Sequence, residues 1–342
     1  MAQMNSQKNA RKPGKRLGEN SVIRKITRSD EFSVFLPLLF IVLITTIFRP
    51  DFLSARNFSM MFTEIPFVAI TALGVSFVLM TGNVDISTGR MAGLGGIMMS
   101  MLIVEHGWKV LPAVLVAFAT CAIVGVVNGI LVVKLGMSDF VATMGTMYMV
   151  HGLRHIVIHN PELSMNNLAD AGTARFISFF KTRIMGMYPS FWIMLILFAI
   201  VFVVIKKTLW GRRLLACGDN REVAKLAGIN VTKMRMEAYI ICAVFCCIGG
   251  LLQTLDMKLG RPETGDGWEF RAIAGCVVGG VSLSGGKGSP LGVLIGVTLV
   301  FVAESAIIFL GMPDTLRVSV KGAVMAAAVL FDLYRQSRKV PA

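Results

Sequence analysis

Three histidines recur at every fourth position of the chain, at His151, His155 and His159. This spacing places three imidazole rings along one face of a helix, where they could together bind a metal ion. The residues between them include no cysteine or carboxylate, and the guanidinium group of Arg154 would repel a cation. We therefore interpret the histidines as a polar stripe at the end of a helix, and we expect no metal site.

Phosphate binding is a second chemistry suggested by a short motif, at Gly286 and Lys287. A phosphate loop has the pattern G-x-x-x-x-G-K-[ST], in which backbone N–H groups surround the phosphates. Here Gly288 follows the lysine, and Val281 occupies the position of the first glycine. The flanking runs are apolar, and no other stretch resembles an ATPase. We therefore expect no nucleotide site, no cofactor and no catalytic residue in this chain, and we predict that it is not an enzyme.

The composition indicates a membrane protein. Of the 342 residues, 55% are hydrophobic and only 16% are charged, and the mean hydropathy is +0.70. The net charge of +14 suggests nucleic acid as an alternative partner, but the basic residues lie in loops that flank apolar runs. Membrane topology explains that placement better, so we expect no nucleic-acid partner. We interpret six cysteines as small packing residues: Cys121, Cys217, Cys242, Cys246, Cys247 and Cys276.

Ten apolar runs follow one another along the chain, most of them near the ~20 residues that a bilayer requires. They predict an all-α integral membrane protein with about ten transmembrane helices, some of them short and Gly-rich. The runs are Phe32–Phe48, Ile65–Thr81, Met91–Val104, Val110–Val133, Phe140–Ile158, Phe191–Ile205, Tyr239–Leu255, Phe270–Val281, Leu291–Leu310 and Val318–Leu333.

The basic residues predict the topology. Residues 1–31 form a basic tail, residues 32–334 the transmembrane domain, and residues 335–342 a second short basic tail. With ten crossings and a cytoplasmic N-terminus, 22 of the 34 Lys and Arg residues fall in cytoplasmic segments and nine in outer loops. Lys and Arg are concentrated on the cytoplasmic side of membrane proteins. The charge distribution therefore favours ten crossings with both termini in the cytoplasm.

The third and eighth runs, Met91–Val104 and Phe270–Val281, are short and rich in glycine. Glycine lets helices pack closely, and it also lets a helix break within the membrane where it lines a cavity. Residues 85–90, before the third run, can be aligned with residues 282–287, after the eighth. Both turns are expected on the cytoplasmic side. The match is short, so it fits coincidence at least as well as an internal repeat.

A polar loop, residues 206–238, separates the sixth and seventh runs and carries eight Lys or Arg residues. Its sequence predicts a short capped helix, which is more than a simple connection needs. The residues that indicate this helix are Asp219 or Asn220 as its cap, Glu222 and Lys225 on one face, and Gly228 at its end. We interpret the helix as a docking element for a cytoplasmic partner. The alternative is a merely solvated basic loop.

Polar residues within or beside the apolar runs are candidates for a transport pathway or gate. Glu304 and Lys321 lie at similar depths in consecutive antiparallel runs, which predicts a salt bridge between them. Glu304 could instead face the pathway and accept hydrogen bonds from a solute. The other candidates are Asp85, Ser87, Asn128, Thr143, Thr146 and Tyr148. Helix packing uses the same residue types, so both interpretations stay open for each.

Three stretches of the chain resemble the ribose/galactose-type permeases of bacterial ABC importers. They read LMTGNVDISTGRMAGLGG from Leu79, GRRLLACGDNREVAKLAGINV from Gly211, and AIAGCVVGGVSLSGGKGSPLGVLIG from Ala272. The resemblance runs from about Phe32 to the C-terminus. Each motif alone is weakly specific, whereas the three together are highly specific.

The resemblance implies a multi-pass permease subunit of the bacterial inner membrane that carries a monosaccharide or sugar-like solute. Ten spans per subunit would form a pore with a second copy of the chain or with a paralogue. A periplasmic binding protein would deliver the sugar. A cytoplasmic ATPase, which holds the ATP and magnesium, would dock on residues 218–228 as the coupling helix. The chain departs from many relatives at Asp219, where they have glycine, and at Glu304, where they often have an uncharged amide.

The residues themselves lead to the same class of protein. A multi-span chain with a docking loop and no nucleotide site needs an energy source on another protein. The alternative is a secondary transporter driven by an ion gradient, but such transporters usually keep carboxylates in their spans, and these are scarce here. An ABC permease for an autoinducer, a nucleoside or an amino acid is also open. Residues 256–269 are expected to form an outer loop that contacts the binding protein, acts as a gate, or is merely solvated.

Overall fold

The computed structural model describes residues 30–160 and 162–311, together with residues 319 and 322. Over this part of the chain the protein is mostly helical, as the apolar runs predict. Nearly all of the tenth run, including Lys321, lies outside the described residues, as do the C-terminal tail and nearly all of the N-terminal tail.

The described residues form twelve α-helices and one short antiparallel sheet. The helices are α1 (Asp30–Phe48), α2 (Ala55–Met80), α3 (Thr88–Val104), α4 (Val110–Gly129, continued by a π-helical turn at Ile130–Lys134), α5 (Asp139–Val157), α6 (Ala171–Phe179), α7 (Pro189–Lys207), α8 (Leu209–Asp219), α9 (Arg221–Leu226), α10 (Val231–Met257), α11 (Trp268–Val278) and α12 (Pro290–Phe309). A 3-10 helix at Pro50–Leu53 joins α1 to α2. Strand β1 (Leu163–Ser164) pairs with β2 (Leu259–Gly260).

Five of these helices are long and apolar enough to cross a membrane: α2, α4 with its extension, α7, α10 and α12. Helix α2 begins before the expected Ile65, because the hydroxyl group of Ser54 caps it and accepts a hydrogen bond from the N–H of Asn57 at 3.3 Å. Helices α3 and α11 are the short Gly-rich helices that the sequence predicts, with 17 and 11 residues.

Helix α10 lies at the centre of the bundle, where it packs against α2, α3 and α4. Small residues allow these close contacts. A Cβ on Gly250 would overlap the carbonyl oxygen of Ala92 in α3, and one on Gly74 in α2 would lie 2.7 Å from the Cβ of Phe245. Close packing of this kind holds membrane helices together. All six cysteines are buried and free, which confirms their interpretation as packing residues.

Contacts along α10 show the depth at which α3 begins. Val84, in the non-helical segment after α2, accepts a hydrogen bond from the hydroxyl group of Tyr239 at 3.3 Å. Ala92, in the second turn of α3, packs against Gly250. At a rise of 1.5 Å per residue, Tyr239 and Gly250 are about 16 Å apart along α10. Residues 81–87 therefore run alongside α10 in a non-helical conformation, and α3 begins near the middle of the bundle.

Helix α11 begins at the same depth. The indole ring of Trp268, its first residue, stacks on Phe67 of α2 with ring centroids 6.4 Å apart. Both residues pack against Gly249 of α10. Gly249 directly precedes Gly250, which contacts Ala92 in the second turn of α3. The two short helices therefore begin next to each other in the middle of the bundle.

The segment between β2 and α11 re-enters the bundle. Gly260 packs on Ser100 in the second half of α3, whereas Gly265 packs on Gly89 at the start of α3. Those two α3 residues are about 16 Å apart along the helix. Residues 261–267 therefore run inward by that distance. Residues 256–269, which we expected to form an outer loop, therefore include a segment that turns inward, where Asp266 contacts Arg154 of α5.

The two turns that align in sequence lie at different depths. The N–H of Gly286 donates a hydrogen bond to the carbonyl oxygen of Met80 at 3.0 Å, at the end of α2. Gly89 and Arg90 instead belong to the first turn of α3, in the middle of the bundle. We expected both turns at the cytoplasmic face of the bundle. This was wrong for residues 89 and 90 of the first turn, which lie in the middle of the bundle.

Candidate functional site

Three segments that are far apart in the sequence meet at one end of the bundle, and we call them together the three-segment joint. They are residues 80–83 after α2, residues 218–221 between α8 and α9, and residues 284–286 before α12. Each segment belongs to one of the three motifs that carry the family resemblance. The motifs are therefore neighbours in space.

Glycine residues make the three-segment joint possible. A Cβ on Gly218 would overlap the carbonyl oxygen of Met80 and the backbone nitrogen of Gly286. Gly286 itself has a φ of +74°, which favours glycine. Beside the joint, burial raises the pKa of the Cys217 thiol, so this side chain is a neutral packing residue of α8. The joint is thus built from main-chain contacts that a side chain would block.

Helix α9 is a short, capped element beside the joint. The side-chain oxygen of Asn220 accepts hydrogen bonds from the N–H groups of Glu222 and of the next residue, at 3.0 and 3.1 Å. Asn220 is therefore the cap, whereas Asp219, the other predicted cap, is the last residue of α8. Lys225 pairs with Glu222 at 2.8 Å across one helical turn. Gly228 follows the helix with a φ of +77°.

The outer face of α9 combines apolar and charged groups. Val223 is 59% exposed and Leu226 is 89% exposed. The ion pair of Glu222 and Lys225 is also exposed and lies on the same short helix. Exposed apolar side chains with a polar rim are typical of surfaces that bind another protein. The face of α9 is therefore suited to docking.

Arg221 connects α9 to the end of α2 through hydrogen bonds. Its Nη2 donates hydrogen bonds to the carbonyl oxygens of Thr81 and Gly82 and to Oδ1 of Asn83, at 3.3, 3.1 and 3.3 Å. Arg235 of α10 donates to the same Asn83 oxygen at 2.9 Å. Sequence reasoning missed these residues. Their places inside or next to the motifs were the signal that could have found them.

Asp139 extends the contacts of the joint to α5. Its Oδ2 accepts hydrogen bonds from Nδ2 of Asn83 at 3.2 Å and from the N–H of Val84 at 2.8 Å. Helix α9 is therefore connected through Arg221 and Asn83 to the non-helical segment that leads to α3.

Four of the predicted pathway residues form one buried network around this non-helical segment. Oδ1 of Asp85 accepts hydrogen bonds from the N–H and the hydroxyl group of Ser87, at 2.9 and 2.6 Å. Nδ2 of Asn128 donates to the Ser87 hydroxyl group at 2.9 Å and lies 3.3 Å from Oδ2 of Asp85. The hydroxyl group of Thr143 accepts from the N–H of Ile86 at 3.2 Å. These groups supply partners that the non-helical backbone lacks, and all four side chains are buried.

The remaining two candidates on α5 differ in exposure. The hydroxyl group of Thr146 donates to the carbonyl oxygen of Thr143 at 3.0 Å and is buried. Tyr148 is 65% exposed and is not part of the Asp85 network. Tyr148 therefore stays a pathway candidate, whereas the hydroxyl group of Thr146 is used within α5.

Glu304 of α12 is paired with Arg271 of α11. The carboxylate accepts hydrogen bonds from Nη2 and Nε of the guanidinium group, at 2.9 and 3.1 Å. The guanidinium group also lies over the ring of Phe301, 5.4 Å from its centroid. The predicted partner, Lys321, lies outside the described residues, so that pair stays a prediction. Arg271 lies in the predicted run Phe270–Val281, but no pattern in the sequence connects it with Glu304.

The three histidines occupy different surroundings. The rings of His151 and His155 pack edge to face with centroids 4.9 Å apart. His159 lies beyond the end of α5, with its Nδ1 3.3 Å from the carboxylate of Glu105. Nδ1 of His151 lies 3.1 Å from Nη2 of Arg154. Among the described residues, no three His, Cys, Asp or Glu side chains are grouped so that they could hold a metal ion.

Comparisons with known proteins connect this arrangement to a transport family. A family model described as "Branched-chain amino acid transport system / permease component" matches residues 57–329. The chain is 32% identical to the galactose/methyl galactoside import permease protein MglC of Salmonella typhimurium, over 92% of this chain and 97% of the relative. No solved structure matches the chain.

Two further relatives are named for other sugars. The L-arabinose ABC transporter permease protein AraH of Azospirillum brasilense is 31% identical over 92% of this chain and 90% of the relative. The ribose import permease protein RbsC of Bacillus subtilis is 31% identical over 87% of this chain and 91% of the relative. The chain therefore belongs to the family of branched-chain amino acid transport system permease components, and it is a permease of the sugar ABC importer type.

Proposed function

We propose that this permease moves a monosaccharide or closely related solute across the bacterial inner membrane, driven by ATP hydrolysis on a separate subunit. Its relatives are named for galactose, arabinose and ribose. ATP and magnesium would be held by the partner. The turn at Gly286 supports a nucleotide site on the partner rather than on this chain. A Cβ on Gly286 would lie 2.7 Å from the Cα of Asp219, so atoms of the three-segment joint occupy the space around this turn.

The observation that carries the proposal is the attachment of an exposed docking helix to the interior of the bundle. Helix α9 offers Val223 and Leu226 to a partner, and Arg221 connects α9 to the segment before α3. An ATPase that closes and opens on α9 would therefore move residues 80–84. Coupling by a short rigid helix needs no nucleotide site in the permease.

The proposed topology is the one that the charges favour. The loop that contains α8 and α9 is strongly basic, so the three-segment joint would face the cytoplasm. The ends of α10 and β2 would then face the periplasm, where a sugar-binding protein delivers its cargo. Ten crossings with both termini in the cytoplasm complete this topology. A second copy of the chain, or a paralogue, would close the pathway.

Reconstitution tests the proposal. The permease is placed in liposomes together with its ATPase and its binding protein, and uptake of D-galactose, D-ribose and L-arabinose is measured. We expect ATP-dependent uptake of one or more of these sugars by the complex. The permease alone should neither hydrolyse ATP nor accumulate sugar in a proton or sodium gradient. Gradient-driven uptake by the permease alone would place it among the secondary transporters instead.

A further inference from the structure

The first turns of α3 and α11 meet in the middle of the bundle. A Cβ on Gly89 would overlap the carboxylate of Glu269 and the carbonyl oxygen of Gly265. The first N–H groups of a helix lack intrahelical partners, and the helix dipole makes that end positive. Two such ends therefore converge beside the re-entrant segment, residues 261–267.

Four charged side chains surround this meeting point, and we call them the midplane cluster: Arg90, Arg154, Asp266 and Glu269. Arg90 forms an ion pair with Asp266. Nη2 of Arg154 donates to Oδ1 of Asp266 at 2.8 Å, and Nη1 donates to the carbonyl oxygen of Thr264 at 2.8 Å. The cluster thus joins α3, α5 and the re-entrant segment.

Several atoms of the cluster are buried without a hydrogen-bond partner among the described residues. They are Nε of Arg90, Nε of Arg154, Oε2 of Glu269 and the hydroxyl oxygen of Thr88. The Arg154 side chain is fully buried, and Glu269 is almost fully buried. Buried polar groups without partners are unfavourable, and most in native proteins are paired. Unpaired donors and an unpaired acceptor at one place therefore indicate a binding site for a polar ligand.

The cluster also has an exposed side. The side chain of Asp266 is 34% exposed, although it lies at the depth where α3 and α11 begin. A charged group in the middle of a bilayer faces a water-filled cavity or the bundle interior, because contact with lipid is unfavourable. His151, which contacts Arg154, shares a face of α5 with the exposed Tyr148. This side therefore faces the pathway, with an aromatic hydroxyl nearby.

We propose that the midplane cluster binds the hydroxyl groups of the sugar as it passes through the pathway and so determines which sugars pass. This inference rests on the proposed function and deepens it. An uncharged polyhydroxy solute accepts hydrogen bonds from the arginines and donates them to Glu269 and Asp266. The helix ends and half-helix geometry favour the same oxygen-rich guest. A cluster with both charge signs suits such a solute better than it suits an ion.

The test is selectivity in the complete complex. Glu269→Gln and Asp266→Asn keep the side-chain size, and each is reconstituted with the ATPase and the binding protein. Uptake of the transported sugar is compared with uptake of its monodeoxy analogues. We expect at least one variant to change the ratio for one analogue by about tenfold, which corresponds to roughly one hydrogen bond to a charged group. A purely structural role would lower the uptake of all sugars by the same factor.

The matched control is Glu162→Gln, which removes a carboxylate that also pairs with an arginine, Arg261, at 2.7 Å, but in an exposed loop. This control should leave the ratios unchanged. Unchanged ratios in both cluster variants would overturn the inference. Absence of uptake by the unaltered complex would contradict the proposed function instead, and the labelling experiment below would still test the cluster.

Thiol labelling tests the exposed side without any transport measurement. The six native cysteines are buried, so their background reaction is low. In Thr264→Cys, which keeps all four charges, and in Asp266→Cys, we expect reaction with a charged, membrane-impermeant thiosulfonate. Ile196→Cys, on an exposed apolar face of α7, should react only with a lipid-soluble maleimide. Reaction of the cysteines at positions 264 and 266 with the maleimide alone, or with neither reagent, would overturn the inference.

Discussion

Gly218 is the residue at which an added side chain would most clearly disrupt the three-segment joint. Its neighbours at the joint are backbone atoms of Met80 and Gly286, which cannot rotate away as a side-chain end can. Gly218→Ala should therefore lower the stability of the permease by about 1–3 kcal/mol, the usual cost of overpacking. Gly145→Ala and Gly152→Ala are controls in α5 with open space around the added carbon. Thermal unfolding in detergent measures the difference, and equal midpoints for all three variants would contradict it.

The ion pair of Glu304 gives a second prediction at the residue scale. Glu304→Gln leaves the guanidinium group of Arg271 without its carboxylate, so we expect a loss of about 2 kcal/mol or more in stability. Adding Arg271→Met should restore much of that loss, because removing both partners leaves no unpaired charge. Expression level and unfolding temperature are the measurements.

The same series also tests the pair predicted from the sequence. If Lys321 is a main partner of Glu304, Lys321→Met will rescue Glu304→Gln as well as Arg271→Met does. If Glu304 instead contacts the sugar, Glu304→Gln will unfold normally and transport poorly, and neither second substitution will help. Normal stability and transport in every variant would exclude all three roles.

At the scale of elements, α9 should bind the ATPase through its exposed face. Glu222→Lys replaces an attraction to Lys225 with repulsion, which costs a few tenths of a kcal/mol and cannot unfold the bundle. It also reverses a charge on the docking face, so we expect weaker co-purification of the ATPase. Arg221→Ala is the contrasting variant, in which the ATPase stays bound but uptake falls. Full binding and full uptake with Glu222→Lys would remove this residue from the interface.

Helix α9 could be predicted from the sequence because its signals are local. A capping side chain, a pair three residues apart and a terminal glycine all lie within residues 220–228. The choice between Asp219 and Asn220 as the cap could not be made, because α8 continues to Asp219 and both residue types cap equally well.

The depth of α3 and α11 could not be predicted, although their shortness could. Asp266 and its partner Arg154 are 112 positions apart in the sequence, and no local pattern connects them. The re-entrant segment is polar and rich in glycine, which is the composition of a surface loop. Its burial depends on contacts with Gly89 and Gly93, which only the packed structure supplies. The same reason explains why Arg271 was not linked to Glu304.

At the scale of the whole molecule, ten crossings would place the C-terminal tail in the cytoplasm. A green fluorescent protein fused after Ala342 should therefore fluoresce, and alkaline phosphatase fused there should be inactive. Phosphatase fused after Lys181, in a predicted outer loop, is the positive control. Active phosphatase at the C-terminus would instead indicate an odd number of crossings. The re-entrant segment is compatible with either number, because it leads into α11 from within the bundle.

The three-segment joint has a consequence for how such transporters can be recombined. Arg221 and Gly286 contact main-chain oxygens of residues 80–82, so the side chains of Met80 and Thr81 contribute little to these hydrogen bonds. A contact that ignores side-chain identity tolerates sequence drift on one partner. Chimaeras that exchange residues 206–238 between sugar permeases should therefore assemble a working joint, provided that the glycines, both arginines (Arg221 and Arg235) and their shared acceptor Asn83 are kept. Such hybrids would let one pathway be powered by the ATPase of another transporter.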